Sequence, residues 1–575
     1  MHWEGALRVR LREPVCEGGD FPPDLAPVLR RVYLARGVRS REELGRRLAE
    51  LPRPDSLRGL RGAVELLERA LAEDRRLLIV GDFDADGATS TALVVLGLRA
   101  LGARQVDFLV PNRFEYGYGL TPEIVALARQ REPHLILTVD NGISSVAGVR
   151  AARDAGIQVV VTDHHLPGAE LPAADAIVNP NQPGCPFPGK HLAGVGVAFF
   201  LLAALRAHLR ERGWFACGGR SEPNLAALLD LVALGTVADV VPLDRCNRAL
   251  VHQGLLRIRS GDGRAGVRAL LEVAGRDPAR AVAADLAFAA GPRLNAAGRL
   301  DDMTLGIRCL LAEDPDEAGA LAQLLDQLNA DRRLIEADMQ REALAAVEAL
   351  ARGTADLPWG LCLFDPGWHQ GVVGLVASRL KERFHRPVIA FARGEGGMLK
   401  GSARSIPGLH VRDALDAVAS RHPGLLNRFG GHAMAAGLAL AEAHFDAFSR
   451  AFDGVVRERL AAEDLEEVIW VDGELSEAEL TVEVARQVRD GGPWGHHFPE
   501  PLFVGEFAVV AGRVVGERHL KLLLGCGQRQ LEAIAFNAPD HLKESLPDRL
   551  AVAYRLTLDA WQGRERLQLL IERFL

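Results

Sequence analysis

The sequence predicts an α/β protein built from a doubly wound parallel-sheet domain, a long helix and a C-terminal β-barrel. Three observations carry this. Short, continuously apolar runs alternate with helical stretches between residues 77 and 161. The segment Ala312 to Arg352 is nearly free of glycine and proline. Residues 503–575 are dense in short alternating strands separated by glycine turns.

The apolar runs are Leu77-Leu78-Ile79-Val80, Leu135 to Val139 and Ile157 to Val161. Their unbroken apolar character is that of strands buried on both faces of a parallel sheet. Between them, Thr121 to Arg131 and Ser144 to Ala155 read as helices, the first opening on Thr121-Pro122, an N-cap followed by proline at the first helical position. Strand, helix, strand, helix at this pitch means a doubly wound sheet. In Ala312 to Arg352, Leu321, Leu324, Leu325 and Leu328 recur at helical spacing after an acidic start, Glu313-Asp314-Pro315-Asp316. Near the C-terminus, Phe507 to Val510, His519 to Leu524, Leu531 to Phe536 and Val552 to Leu556 are regularly spaced strand candidates, the pattern of a small barrel.

A chain of 575 residues is expected to hold three or four domains. The boundaries read as 1–50, an N-terminal helical extension with an amphipathic stretch from Leu25 to Leu51; 51–311; the connecting helix 312–352; 353–460; and 465–575. Arg210 to Pro223 reads as an exposed loop. The composition, 48% hydrophobic and 25% charged, is that of an ordinary soluble protein. No apolar stretch has membrane length and no signal peptide is present. The seven cysteines are scattered without metal-type spacing, as expected of a reducing, cytoplasmic compartment. A net charge of −8 means that any nucleic acid must be held by a local basic groove.

The chemistry starts at Gly81-Asp82-Phe83-Asp84-Ala85-Asp86-Gly87, directly after the first apolar run. On an extended backbone Asp82, Asp84 and Asp86 would project to one side and crowd at a strand end. Like charges so close require protons or a cation, and a hard divalent ion is the natural counter-charge for aspartate oxygens. An EF-hand loop is the alternative reading, but its twelfth position, Leu93, is not the glutamate that loop needs. The second and third runs end in Asp140-Asn141-Gly142 and Thr162-Asp163-His164-His165. All three clusters then lie at the carboxyl edge of one sheet, where such folds bind ligands. Several aspartates with one or two histidines suit Mn²⁺ or Mg²⁺. The set exceeds what one ion needs, which points to two ions sharing a carboxylate, as in phosphoryl chemistry.

Asp-x-Asp-x-Asp-Gly, Asp-Asn-Gly and Asp-His-His in this order resemble the DHH phosphoesterase superfamily. Leu231 to Leu243, with Ala238-Asp239-Val240, matches that superfamily's fourth element. On the resemblance, Asp82 and Asp84 hold one ion, Asp86, His164 and Asp239 the other, and Asp140 bridges them; Asp230 is structural. His165 acts beside the ions as a proton donor or an electrostatic stabiliser. Trp368 to Leu380, Gly401-Ser402-Ala403-Arg404-Ser405 and Gly430-Gly431-His432-Ala433-Met434-Ala435-Ala436-Gly437 are similar to the superfamily's smaller α/β accessory domain, DHHA1. The barrel is then an OB-fold. Pro111 to Leu120, Leu192 to Gly196 and Gly291 to Leu300 extend the likeness from about residue 50 onward, towards the superfamily's single-strand-specific exonucleases.

That resemblance implies hydrolysis of single-stranded DNA 5′→3′ to mononucleotides with two divalent cations, in DNA repair and recombination. It further implies a monomer away from membranes, partnered by a single-strand-binding protein and a helicase. Arg113, Tyr116, Tyr118, Arg293, Asn295, Ser402, Arg404, Gly430, Gly431 and His432 are the expected substrate contacts. Arg513, Arg518, His519, Lys521, Arg529 and Trp561 are the expected barrel contacts, by stacking and a basic groove. The segment Pro493 to Phe498 departs from the family pattern, where a glycine-asparagine turn is usual. Two other readings stay open: a DHH enzyme of small or cyclic nucleotides, and a non-catalytic strand-binding scaffold.

Overall fold

A computed structural model of the chain describes residues 7–15, 18–112, 115–116, 118–216, 220–353, 357–561 and 564–575; of 351–353, 395, 560, 561 and 564 it describes the backbone alone. The expected contacts Arg113 and the Trp561 side chain lie outside the described residues. The chain forms two compact units. One comprises Leu328–Trp470 with the described part of Met1–Arg10, the other Leu11–Gln327 and Val471–Leu575.

The larger unit contains a five-stranded sheet made by β1 (Leu77–Val80), β2 (Val106–Leu109), β3 (Leu135–Val139), β4 (Gln158–Thr162) and β5 (Ala176–Val178). Its spatial order is β2-β1-β3-β4-β5 and every neighbouring pair is parallel. β1 and β3 are buried along their whole length, which is why their sequences are unbroken apolar runs. The order reverses direction between β1 and β3, and that switch point opens a crevice at the carboxyl ends of the strands.

The helix Ala85–Leu101 follows β1 and is almost wholly buried, so it lacks an amphipathic pattern. Gly194–Glu211 and Leu229–Ala238 pack against it, and Arg245–Ser260 packs on Leu229–Ala238. The expected helices appear as Pro122–Arg129 and Val146–Asp154, and the Thr121 hydroxyl caps the first by accepting from the Ile124 amide at 3.3 Å. Among the described residues no helix is long and apolar enough to cross a membrane.

The same unit carries the barrel. β11 (Phe503–Val515), β12 (His519–Cys526), β13 (Arg529–Ala535), β14 (Arg549–Trp561) and β15 (Arg564–Phe574) close in the order β11-β12-β13-β15-β14. The β13–β15 pair is parallel, and Tyr554, Phe503 and Phe507 fill the interior. Trp494 and Phe498, in the segment leading into the barrel, stack at 5.0 Å, and Tyr33 of the N-terminal helix Pro27–Leu34 stacks on both. The extension therefore helps to seat the barrel's entry.

The helix Pro315–Gly353 leaves the larger unit and enters the smaller. There β6 (Leu361–Phe364), β7 (Val388–Arg393), β8 (Met398–Arg404), β9 (Arg428–Gly431) and β10 (Ala435–Ala441) form a mixed sheet in the order β9-β10-β8-β7-β6. Within it β6 and β7 run parallel, and the other neighbouring pairs are antiparallel. Phe391, Phe448 and Phe452 anchor its core.

Candidate metal centre and active site

β1 ends at Val80, and the carboxylates that follow are not on an extended strand. Asp84 is the N-cap of the helix Ala85–Leu101, accepting from the Asp86 and Gly87 amides at 3.0 Å each, and Asp86 lies in the first turn. Asp82, Asp84 and Asp86 thus do not alternate along a strand, contrary to the expectation from the sequence. Aspartate competes for exposed helix-start amides, and this bends the chain out of the strand immediately. The three side chains still converge, because the turn and the helix start fold them into the crevice between β1 and β3.

Ligand atoms of Asp82, Asp84 and Asp140 lie within 4.8 Å of one another, as do those of Asp86, His164 and Asp239, and those of Asp140, His164 and His165. His164 Nε2 is 3.2 Å from Asp140 Oδ1, 3.5 Å from Asp239 Oδ2 and 4.0 Å from Asp86 Oδ2. Asp140 stands at the meeting point of the groups. Its backbone is left-handed (φ 62°), as is that of Val240 (φ 59°) immediately after Asp239. Such conformations cost about 1–3 kcal/mol each and persist where surroundings impose them. For β-branched Val240 the conformation is a true outlier.

The backbone around the cluster is specialised. The Gly194 and Val195 amides, at the start of the helix Gly194–Glu211, donate to Asp86 at 2.6 and 2.9 Å. A Cβ on Gly194 would stand 2.6 Å from Asp140, so this close approach excludes a side chain. This accounts for Leu192-Ala193-Gly194-Val195-Gly196 as a carboxylate cradle. Asn295, one of the expected substrate contacts, accepts through Oδ1 from the Ala85 amide at 2.9 Å and so braces the turn.

Electrostatics agree with the geometry. Burial, then the charges of neighbouring aspartates, raise Asp140 and Asp239 well above the carboxylate range and lift Asp86 to about 7. Asp140 Oδ1 is buried without a hydrogen-bond partner. Concentrated carboxylates with an unsatisfied buried oxygen are a donor set that fits hard divalent cations.

Several supporting residues escaped the sequence reading. Asp163 is buried, and its Oδ1 lies 2.7 Å from His165 Nδ1 while Oδ2 accepts from the Ile143 amide at 2.9 Å. Burial works to lower His165, but Asp163, Asp239 and Asp82 prevail and raise it to about 9. Asn179 and Asn181 donate to the carbonyls of His165 and His164 at 3.0 and 2.6 Å. Tyr118, 48% exposed, bonds the Asp140 carbonyl at 3.3 Å and lies edge-on to His165. Asp230 lies elsewhere, buried and accepting from the Leu231 and Arg264 amides at 2.9 and 2.6 Å.

The remaining expected contacts are distributed. Tyr116 is half-buried against the core of the first sheet. Arg293 is buried and committed to Asp326 at 2.7 Å and the Ala289 carbonyl at 2.8 Å. In the smaller unit, Ser402 on β8 is registered with Gly437 on β10, itself opposite Gly430 on β9, with Gly431 beside it. Arg404 Nη1 donates to Ser402 Oγ at 2.9 Å, and both approach Gly374 in the first turn of the helix Val373–Phe384. A guanidinium, a hydroxyl and a helix N-terminus at one place are groups of the kind that can hold an anion. The His432 amide donates to the Ala435 carbonyl at 2.8 Å. On the barrel, Arg513 and Lys521 oppose each other across β11 and β12, Lys521 also pairing with Glu532 at 2.8 Å. Arg518 is exposed beside them, the His519 ring packs edge-on against Phe536, and Arg529 reaches the Leu480 carbonyl.

Comparison with known proteins gives this architecture a lineage. Residues 76–236 match the DHH family N-terminal domain, 357–458 the DHHA1 domain and 471–573 the RecJ OB domain. Over 565 residues the chain is 58% identical to the single-stranded-DNA-specific exonuclease RecJ of Dickeya dadantii, covering 98% of each. The chain belongs to the RecJ family. RecJ of Thermus thermophilus has been solved in complex with Mn²⁺, and that structure is similar at a TM-score of 0.80 and 35% identity, covering 100% of this chain and 80% of that one. The corresponding Mg²⁺ complex matches at 0.74 and 33%, covering 99% and 78%. The three RecJ domains account for the first sheet, the mixed sheet and the closed barrel in turn, and the acidic groups at the β1–β3 crevice fit the same class of cation.

Proposed function

We propose that the protein is a metal-dependent exonuclease that hydrolyses single-stranded DNA from the 5′ end to mononucleotides, in DNA repair and recombination. The observation that carries this reading is the set of overlapping ligand groups linked through Asp140 and His164, in a chain 58% identical to a single-stranded-DNA-specific exonuclease. Asp82 and Asp84 would hold one divalent cation, Asp86, His164 and Asp239 a second, and Asp140 both. When bound, Mn²⁺ or Mg²⁺ supplies Lewis-acid stabilisation of phosphate charge and lowers the pKa of water.

The chain's own residues do the rest. Asp163 holds His165 through Nδ1, which leaves Nε2 for the proton required by the departing oxygen. The Tyr118 hydroxyl, within 3.4 Å of both ring nitrogens, restricts how the imidazole can turn, and its exposed ring offers a surface to the terminal nucleotide. Arg404 and Ser402, at their helix N-terminus, would receive the 5′-terminal phosphate. Arg293, held by Asp326 and the Ala289 carbonyl, would tie its own helix to the start of the long helix Pro315–Gly353. The barrel, with Arg513, Arg518 and Lys521, would guide the strand, and its presence favours a polynucleotide over a dinucleotide substrate. We assign the protein to the cytoplasm as a monomer, with a single-strand-binding protein and a helicase as partners.

The test uses single strands labelled at the 5′ or the 3′ end, with Mn²⁺, and a matched duplex. Immediate release of labelled mononucleotide from the 5′ end alone, absent with duplex, is expected. Early release from the 3′ label would overturn the polarity, and faster cleavage of a dinucleotide than of a long strand would overturn the substrate class.

A further inference from the structure

Asp239 ends its helix, its amide bonding the Gly235 carbonyl at 2.9 Å, and the chain then reverses through Val240. Val240 combines a left-handed backbone with 60% exposure, so little side-chain packing offsets the cost of the conformation. Relaxation of that residue to an ordinary conformation would rotate the peptide that carries Asp239.

What opposes relaxation lies just downstream. The Leu243 amide donates to the His496 carbonyl at 2.8 Å. The Leu243 carbonyl accepts from Arg248 Nη1 at 2.9 Å, and the Pro242 carbonyl accepts from Asn247 Nδ2 at 2.9 Å. The same Asn247 amide donates to the His191 carbonyl at 2.6 Å, in the loop whose next residues cradle Asp86. The Arg248 guanidinium lies 4.3 Å from the centre of the Phe498 ring, and its Nη2 donates to the Glu43 carbonyl at 3.0 Å. The barrel's entry segment and the helix Arg245–Ser260 thus hold the turn after Asp239 directly, and Glu43, His191 and Phe498 in turn hold the Asn247 and Arg248 side chains that do so.

We propose that Arg248, seated on Phe498 of the barrel's entry segment, is a positioning residue that clamps Val240–Asp244 and so holds Asp239 in the metal centre. Phe498 supplies the face on which the guanidinium rests, and Trp494 stacks on that ring in turn. The proposal rests on the reading of Asp239 as a metal ligand.

Mn²⁺ binding to the full chain, followed by calorimetry, separates the two ideas. Asp239→Ala is the reference. Arg248→Ala is expected to weaken one class of Mn²⁺ site by about 10–100-fold, the range for partners that orient a ligand. Its kcat should fall and recover with excess Mn²⁺, while KM for single-stranded DNA stays unchanged. Adding Val240→Gly to Arg248→Ala should restore much of the Mn²⁺ affinity, because glycine adopts the left-handed conformation without steric cost. If Arg248→Ala does not fold, Phe498→Leu, which keeps the bulk and removes the ring, is expected to weaken Mn²⁺ in the same direction. Wild-type Mn²⁺ affinity in a folded Arg248→Ala or Phe498→Leu protein, with affinity lost in Asp239→Ala, would overturn the clamp. So would a double variant as weak as Arg248→Ala alone. Unchanged affinity in Asp239→Ala would instead overturn the ligand reading.

Discussion

The metal centre and the basic face of the barrel gather charge by opposite rules. At the centre, five aspartates and a histidine are pressed together at one strand switch point. Asp82, Asp86 and Asp140 are deeply buried there, and burial and mutual repulsion raise the proton affinities of Asp86, Asp140 and Asp239. On the barrel, the cations lie at the surface, and Lys521 already has an acidic neighbour in Glu532. Buried like charges are kept only where something must neutralise them, so each is expected to be indispensable. Exposed charges are screened and interchangeable, so each is expected to matter little alone.

The sharpest contrast is in single substitutions. Asp140→Ala should lower hydrolysis by more than about 10³-fold, beyond the 10–100-fold usual for outer partners, while leaving strand binding detectable by fluorescence anisotropy. Hydrolysis within tenfold of wild type would break the comparison. His165→Ala should cost about 10²–10⁴-fold in kcat, the range for a general acid. Asp163→Asn should cost about 10–100-fold, since it removes the orienting charge but not the ring. An Asp163→Asn protein slower than His165→Ala would mean that Asp163 does more than orient.

A smaller effect concerns pH. In the metal-free protein Asp86 is raised to about 7, with Asp140 and Asp239 raised too. The folded state then binds more protons than the unfolded chain, so this contribution is fully present below about pH 4 and is lost as pH rises through about 7. A divalent cation replaces those protons. The Tm increase caused by Mn²⁺ should therefore be larger at about pH 8 than at about pH 6, and a pH-independent increase would contradict the assigned proton affinities. The least effect is expected on the barrel. Lys521→Ala should weaken single-strand binding only a few-fold and reduce its salt slope by about 0.7, the value for one phosphate contact on a single strand.

Much of this organisation is legible in the sequence, and the limits have physical reasons. Strands such as Leu135–Val139 announce themselves because burial on both faces leaves an almost unbroken apolar run. The order of strands is not written locally, so the switch point between β1 and β3 emerged only with the fold. Asp82, Asp84 and Asp86 were legible as a cluster but not as a shape, because helix capping overrides alternation within two residues. Asp239 stands out only through resemblance, since an aspartate at a helix end is also an ordinary surface feature. Asp163, Asn179 and Asn181 act through hydrogen bonds to neighbouring chain, which leave no pattern in spacing. That Arg293 is buried and paired with Asp326 is likewise invisible in the sequence, because the two residues are far apart along the chain.

The central claim is that two cations meet at Asp140, and anomalous diffraction at the manganese edge from crystals grown with Mn²⁺ tests it most directly. Two peaks are predicted, one beside Asp82 and Asp84, the other beside Asp86, His164 and Asp239, with Asp140 between them. A single peak, or a second one remote from Asp140, would contradict the account.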